Sequence, residues 1–241
     1  MALTRANEAV LSHIKTSERP QTLLARSHSP GGAGASAGFS MSPNSLWNKG
    51  MARQQGDISD PRSFWGEISP CDHVVQIYET DLVFLDALEG FVSGGLRSGD
   101  AVVVIAGVAH LAALEDRLRA LGFDLAWLRA RGLYIRLDAR EALSRFMVQD
   151  WPDEQLFRQF VQETLDAAGE RRVRAFGEMV AVLWAEGKTG ATVRLEHLWH
   201  RICQESKLSL FCAYPRIGFT KDSDDAIREI CEAHSRIIAE Y

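Results

Sequence analysis

Residues 102–118 read VVVIAGVAHLAALEDRL. The β-branched run that opens the stretch is the pattern of a strand buried on both faces. Ala-Gly-Val then turns the chain. Leu111, Leu114, Leu118 and Leu121 follow at helical spacing, and Gly122 ends the helix. Strand, tight turn and helix form the repeating unit of a parallel sheet. Many nucleotide-binding proteins carry their phosphate loop at this turn, so its residues decide what the chain can do as well as how it folds.

A phosphate loop needs backbone N–H groups at a helix start, glycines for close approach and a lysine for the outer phosphates. The stretch GGLRSGDAVVVIAG (94–107) has the approach to such a loop but not its working residues. No Lys-Ser/Thr pair follows, Gly107 is the one glycine in the turn, and the loop is too short to wrap a triphosphate. ATP hydrolysis is not expected. Retained nucleotide binding by a degenerate ATPase remains a minor alternative.

Working outward, HVVQIYE (73–79) reads as a short strand and 81–93 as a helix, with GGLRSGD (94–100) as a turn. LYIRLD (133–138) predicts another strand, with a helix over about 140–147. Pro152 fits the first turn of a helix over 153–170. RVRAFGEM (172–179) and LSLFCAYP (208–215) read as strands on either side of a helix over 190–206. The tail from Ser223 reads as one acid-capped helix with Ile227, Ile230, Cys231, His234 and Ile237 on its buried face. Alternating strands and helices predict an α/β fold in three layers, a mostly parallel sheet with helices on both faces.

Composition narrows the function. Residues 28–44, HSPGGAGASAGFSMSPN, hold 13 Gly, Ala, Ser or Pro in 17, a linker composition. Residues 1–65 are expected to be a flexible extension and 66–241 the folded domain. The extension carries 7 Lys+Arg against 4 Asp+Glu, whereas the remainder carries 20 against 28. An acidic folded part argues against nucleic acid as a partner. No apolar run suits a transmembrane helix, and the start of the chain lacks a signal-peptide core, so a cytoplasmic protein without membrane contact is expected. The four cysteines show no metal or redox spacing, and no trio of His, Cys or carboxylate has ligand spacing. Neither metal nor cofactor is expected. Without a nucleophile elbow, catalytic triad or dinucleotide fingerprint, an enzyme is not expected either.

Several blocks in order carry a family resemblance: HVVQIYETD, FVSGGLRSGDAVVVIAGVAHLAALEDRLRALGFD, GLYIRLDAREALSRFM, WPDEQLF, VRAFGEMVAVLWAEG, LEHLWHRICQESKLSLFCAYP and ICEAHSRI. Together they resemble the MEDS family, the methanogen/methylotroph sensory domain named partly for a dichloromethane-responsive regulator. The resemblance covers about residues 70–240 and implies a KaiC/RecA-like fold that has lost its nucleotide loop. It also implies a sensory module in prokaryotic signalling, often joined to histidine kinases or DNA-binding regulators, with hydrocarbon derivatives as proposed ligands. This sequence holds no helix-turn-helix, kinase blocks or receiver domain. It therefore predicts a sensor that acts through a partner protein, such as a histidine kinase or regulator, with homo-oligomerisation open. A ligand-free protein-interaction module is the main alternative.

Ligands of open α/β sheets bind at the carboxyl ends of the strands. That places Tyr78, Gly107, His110, Asp138, Glu178 and Tyr214 as candidate ligand-binding residues, with Trp184 as an aromatic wall. Glu178 stands out: a carboxylate that ends an apolar strand, directly after Gly177, needs a donor. The bland reading pairs it with Arg174 or Arg194, or has it cap the next helix. His110 falls in the first turn of its helix and could donate to a ligand. His73 and Tyr78 read equally well as anchors of an edge strand, and His234 reads as a satisfied core histidine.

Overall fold

The computed structural model describes Trp65 and residues 68–206, 208–219 and 224–239. The linker and the expected extension therefore fall outside the described residues, Trp65 excepted. The chain opens with β1 (His73–Tyr78), α1 (Asp81–Arg97), β2 (Ala101–Ala106), α2 (Val108–Ala120), α3 (Leu125–Ala130), β3 (Tyr134–Asp138) and α4 (Ala139–Ser144). A small hairpin follows, β4 (Met147–Val148) and β5 (Trp151–Pro152), then α5 (Glu154–Ala168), β6 (Val173–Gly177), α6 (Met179–Ala185) and α7 (Thr189–Ser206). The last elements are β7 (Ser209–Pro215), a 3-10 turn (Arg216–Gly218), α8 (Asp224–Glu232) and β8 (Arg236–Ala239).

Six strands form one sheet in the order β3-β2-β6-β7-β1-β8, every pair parallel. Alternation along the strands divides the core in two. Val74, Val102, Val104, Ala106, Phe176 and Phe211 pack under α1, α2 and α3. Val75, Val103, Ile105, Ala175, Leu210 and Cys212 face α4 to α8. The three-layer α/β architecture expected from the alternating pattern is the one observed.

Several boundaries differ from expectation: the strand read over 172–179 ends at Gly177, α3 and α6 are not among the expected helices, and three further differences have a clear cause. Gly94 and Gly95 continue α1 to Arg97. Gly95 lies so close to the sheet that an added Cβ would sit 2.8 Å from Arg174 Cδ and 2.9 Å from Val102 Cγ2, so packing decides the position over propensity. The turn is Ser98–Asp100, with Gly99 at φ +80. Pro152 belongs to β5, and Asp153 caps α5 by accepting the Leu156 N–H at 2.9 Å. The tail is not one helix. It stops at Glu232, and Arg236–Ala239 pairs with β1 as an edge strand. Isoleucines spaced for a helix face also serve a strand that sits half-covered at an edge.

One buried ion pair braces the α1 layer. Arg174, 1% exposed, donates from Nε to Asp100 Oδ2 at 2.7 Å and from a guanidinium nitrogen to the Trp65 carbonyl at 2.8 Å. Removing one partner of a buried pair strands the other charge without water. Asp100→Ala should lower unfolding stability by about 3–5 kcal/mol. Arg228→Ala, which breaks the exposed pair with Asp225, should cost no more than about 1 kcal/mol. Urea unfolding of the two variants would check this, and equal costs would mean the buried pair is not a brace.

Candidate functional site

The carboxyl ends of β1, β2 and β6 meet at one edge of the sheet, and the local folding of each brings a different group. β6 ends at Gly177, and the ladder takes one more step: the Glu178 N–H donates to the Ile105 carbonyl at 2.8 Å. This fixes the start of α6 and aims the Glu178 side chain across to the end of β2. There Glu178 Oε2 accepts the Gly107 N–H at 2.8 Å, and Oε1 lies 2.8 Å from His110 Nδ1. Gly107 is the residue before α2, so the carboxylate takes one of the free N–H groups at a helix start.

The glycine at 107 is not needed for its conformation. Its φ is −64, and an added Cβ would meet Glu178 Oε2 at an ordinary 3.7 Å. What the site uses is the backbone N–H.

His110 stands between two carboxylates. Its Nδ1 bonds Glu178, and its Nε2 lies 4.0 Å from Asp81 Oδ1, too far for a hydrogen bond. Burial works against its charge, but the Glu178 hydrogen bond and the Glu178 and Asp81 charges outweigh that, raising its pKa above the ordinary 6.5. With Nδ1–H given to Glu178, the charged form of the ring carries a second donor at Nε2, on a side chain 21% exposed. Phe84 packs edge-on to the imidazole at 4.9 Å between ring centres and stacks on Tyr78 at 4.9 Å. Burial, followed by the charges of Glu178 and Asp81, pushes the Tyr78 phenol above its usual range, so it stays protonated.

The structure thus gathers Glu178, Gly107, His110 and Tyr78 at one place. The other three candidates lie elsewhere. Asp138 caps α4, accepting the Arg140 and Glu141 N–H groups at 2.9 and 3.0 Å. Tyr214 faces the opposite core, fully buried, and donates to Glu196 Oε1 at 2.5 Å. Trp184 packs near it and donates to the Gly218 carbonyl at 2.7 Å. The bland partners for Glu178 are also taken: Arg174 holds Asp100, and Arg194 bonds Glu154 at 2.8 Å. Glu178 sits at the cap position of α6 without a side-chain cap bond.

Sequence reading missed Asp81 and Phe84 as neighbours of His110. Both belong to α1, and nothing in their spacing reveals that α1 and α2 lie side by side. A weak signal was present in the Asp at the first position of a helix that follows Tyr78.

The comparison with known families is specific. The chain belongs to MEDS, the methanogen/methylotroph, DcmR sensory domain family, whose model matches residues 72–235. MEDS is a family of sensory domains. No curated protein matches the chain significantly. Among the described residues no helix is long and apolar enough to cross a membrane.

The raised His110 pKa has a stability consequence with a definite sign. The group binds its proton more tightly when folded, so its contribution is complete below the unfolded value, about 6.5, and is lost as pH rises through the folded value. Wild type should therefore exceed Glu178→Gln in stability by more at about pH 6 than at about pH 9. An NMR titration of the His110 ring should give a pKa above 6.5 in wild type and a lower one in the variant. A gap that does not change with pH would mean that His110 is neutral in the pair.

Proposed function

We propose that this chain is a non-catalytic sensor of a small molecule, bound at the strand ends beside Glu178 and His110, and that it passes the signal to a partner protein. The Glu178 bridge between Gly107 N–H and His110 carries the reading. It is a largely buried carboxylate, 14% exposed, that fixes one imidazole through Nδ1 and leaves Nε2, a donor in the charged ring, without a hydrogen bond to Asp81 at 4.0 Å. Pre-oriented donors in an aromatic setting are the usual form of a small-molecule site. The complementary ligand has a hydrogen-bond acceptor for the His110 ring, which the buried Phe84 and Tyr78 back from the core side, on a short apolar body. A hydrocarbon derivative has that form.

The partner reading rests on a second feature of the same edge. Ile217, Val108 and Leu82 are the most exposed large apolar side chains among the described residues, at 94, 67 and 62%. They follow β7, β2 and β1 at their carboxyl ends. An apolar rim of this kind suits a protein surface. A ligand that drew His110 or the start of α2 into a new position would change the rim. Signalling then requires only that the ligand bind one of the two arrangements more tightly.

Native mass spectrometry of protein purified gently from its own host tests the ligand. An organic mass excess should appear in the native spectrum, vanish on denaturation and be lost in Glu178→Gln. An unliganded wild-type mass, together with no thermal shift from short alcohols, amines or halogenated alkanes, would sink the sensor reading and leave a protein-interaction module.

A further inference from the structure

A second polar cluster lies on the other face of the sheet, sealed from solvent. His73 opens β1, Glu196 is in α7, Cys212 is in β7, and His234 joins α8 to β8. Their side chains converge on one point. His73 Nε2 and His234 Nε2 each lie 3.5 Å from Glu196 Oε2. Cys212 Sγ lies 3.5 Å from His73 Nε2 and 3.7 Å from Glu196 Oε2. All four ligand atoms fall within 4.8 Å of one another. All four residues are buried, and the His73, Glu196 and His234 side chains have no exposed surface.

The outward-facing atoms are already tied. His73 Nδ1 donates to the Ala233 carbonyl at 3.1 Å and His234 Nδ1 to the Ile230 carbonyl at 2.6 Å. Tyr214 holds Glu196 Oε1 at 2.5 Å. Backbone carbonyls that take Nδ1–H fix the tautomer with its lone pair on Nε2, the arrangement that orients metal-bound histidines. Both rings are neutral, because burial, first of all, lowers their pKa values, that of His234 to about 4.

The centre is therefore poor in donors. Two imidazole lone pairs and a carboxylate oxygen face the single proton of the Cys212 thiol. His234 Nε2 is buried and makes no hydrogen bond. Burial pushes Glu196 up to about 7, against the hydrogen bonds from Tyr214 and Cys212 that lower it. The Cys212 thiol can serve His73, so His234 is the ring left unmatched unless Glu196 holds a proton and turns it to that nitrogen. A buried polar atom left unmatched costs about 1–3 kcal/mol, so an arrangement that leaves one stranded needs a reason.

We infer that His73, Glu196, Cys212 and His234 form a four-coordinate site for a divalent transition metal, zinc by first preference. Zinc accepts this donor set, with Zn–N near 2.0–2.1 Å and Zn–S about 2.3 Å. A tetrahedron with such bonds has edges of about 3.3–3.7 Å, which the four short separations match. Charge agrees as well. One thiolate, one carboxylate and a divalent cation sum to zero, the form a dry interior tolerates. The Cys212 thiol, held protonated by burial and by Glu196, would lose its proton to solvent as its sulfur bonds the metal. Four protein ligands leave no open position, so the role is structural. The metal would pin the edge strand β8 and the end of α8 to β1, β7 and α7.

The experiment uses untagged full-length protein. Metal analysis after gel filtration should give about one zinc per chain, since closed sites exchange slowly. Refolding with cobalt in place of zinc should produce a thiolate-to-cobalt charge-transfer band. Cys212→Ser should lose that band while still binding, and His234→Ala should bind at least tenfold more weakly. If either variant fails to fold, the wild-type metal content and cobalt spectrum decide alone. Folded wild type with no stoichiometric metal and no cobalt spectrum would overturn the inference. So would one equivalent of cobalt without a thiolate band, since the metal would then sit elsewhere.

Discussion

The last hydrogen bond of the β2–β6 ladder, from Glu178 N–H to the Ile105 carbonyl at 2.8 Å, is the contact on which the polar edge depends. It closes a register in which Ile105 faces Gly177, and it sets the Glu178 side chain against the N–H of Gly107. A one-residue slip would turn every side chain of β6 to the other face. Phe176 and Ala175 would then exchange cores, and Glu178 would lose both partners. The register holds because both faces are apolar and buried: Phe176 packs among Phe84 and Phe211 on one, and Ala175 joins the core under α5 on the other. Apolar packing in the middle of the sheet thus positions a charge at its end.

Parallel pairing has a second effect. All six strands end at the same edge, so the segments after β1, β2, β6 and β7 share one surface. Polar groups from distant parts of the chain can meet there without any of them being buried in the core. The α1 and α2 helices that start at this edge run side by side. Arg117, in the last turn of α2, bridges to Asp86 at 2.5 Å and Glu89 at 3.3 Å, both in the first nine residues of α1. Asp86 is largely exposed, and such pairs add little stability. The α2 helix is thus held tightly at its first turn, by Glu178 on Gly107 and His110, and loosely along its exposed side. A site placed at that first turn has the most leverage over the helix.

Much of this was legible in the sequence where burial is one-dimensional. β2 and β7 are apolar throughout because both faces are covered, and α5 and α7 carry clear helical stripes. Glu178 was conspicuous because a carboxylate ending an apolar strand must be answered. Its answer was not legible: Gly107 is 71 residues away, and only the strand order brings the two together. Arg174 looked like a partner for Glu178, but it sits near the start of β6 while Glu178 follows its end, and Asp100 takes it there. The tail misled for another reason. Isoleucines three or four apart describe a helix face, but Ile237 and Ile238 also fit a short strand whose backbone pairs with β1. The β4–β5 hairpin turns through Gln149 and Asp150, both at positive φ, without the glycine that would have announced it.

The buried cluster was the least legible part, for a reason of geometry. Metal sites visible in sequence have at least two ligands on one element, so their spacing is fixed by a helix or a tight loop. Here each ligand comes from a different segment, at positions 73, 196, 212 and 234. His73 and Cys212 face one another only because β1 pairs with β7, where Val75 lies opposite Cys212 two residues further along. His234 arrives only when the chain leaves α8 for β8. A ligand set of this kind cannot exist before the sheet does. Binding energy released there belongs to the last step of assembly, the docking of the edge strand. The two polar clusters therefore follow opposite rules. The one at the strand ends is left partly exposed, with the His110 side chain 21% accessible. The one beneath β1 and β7 has every outer atom tied and only its centre unmatched, the economy of a site whose single function is to close.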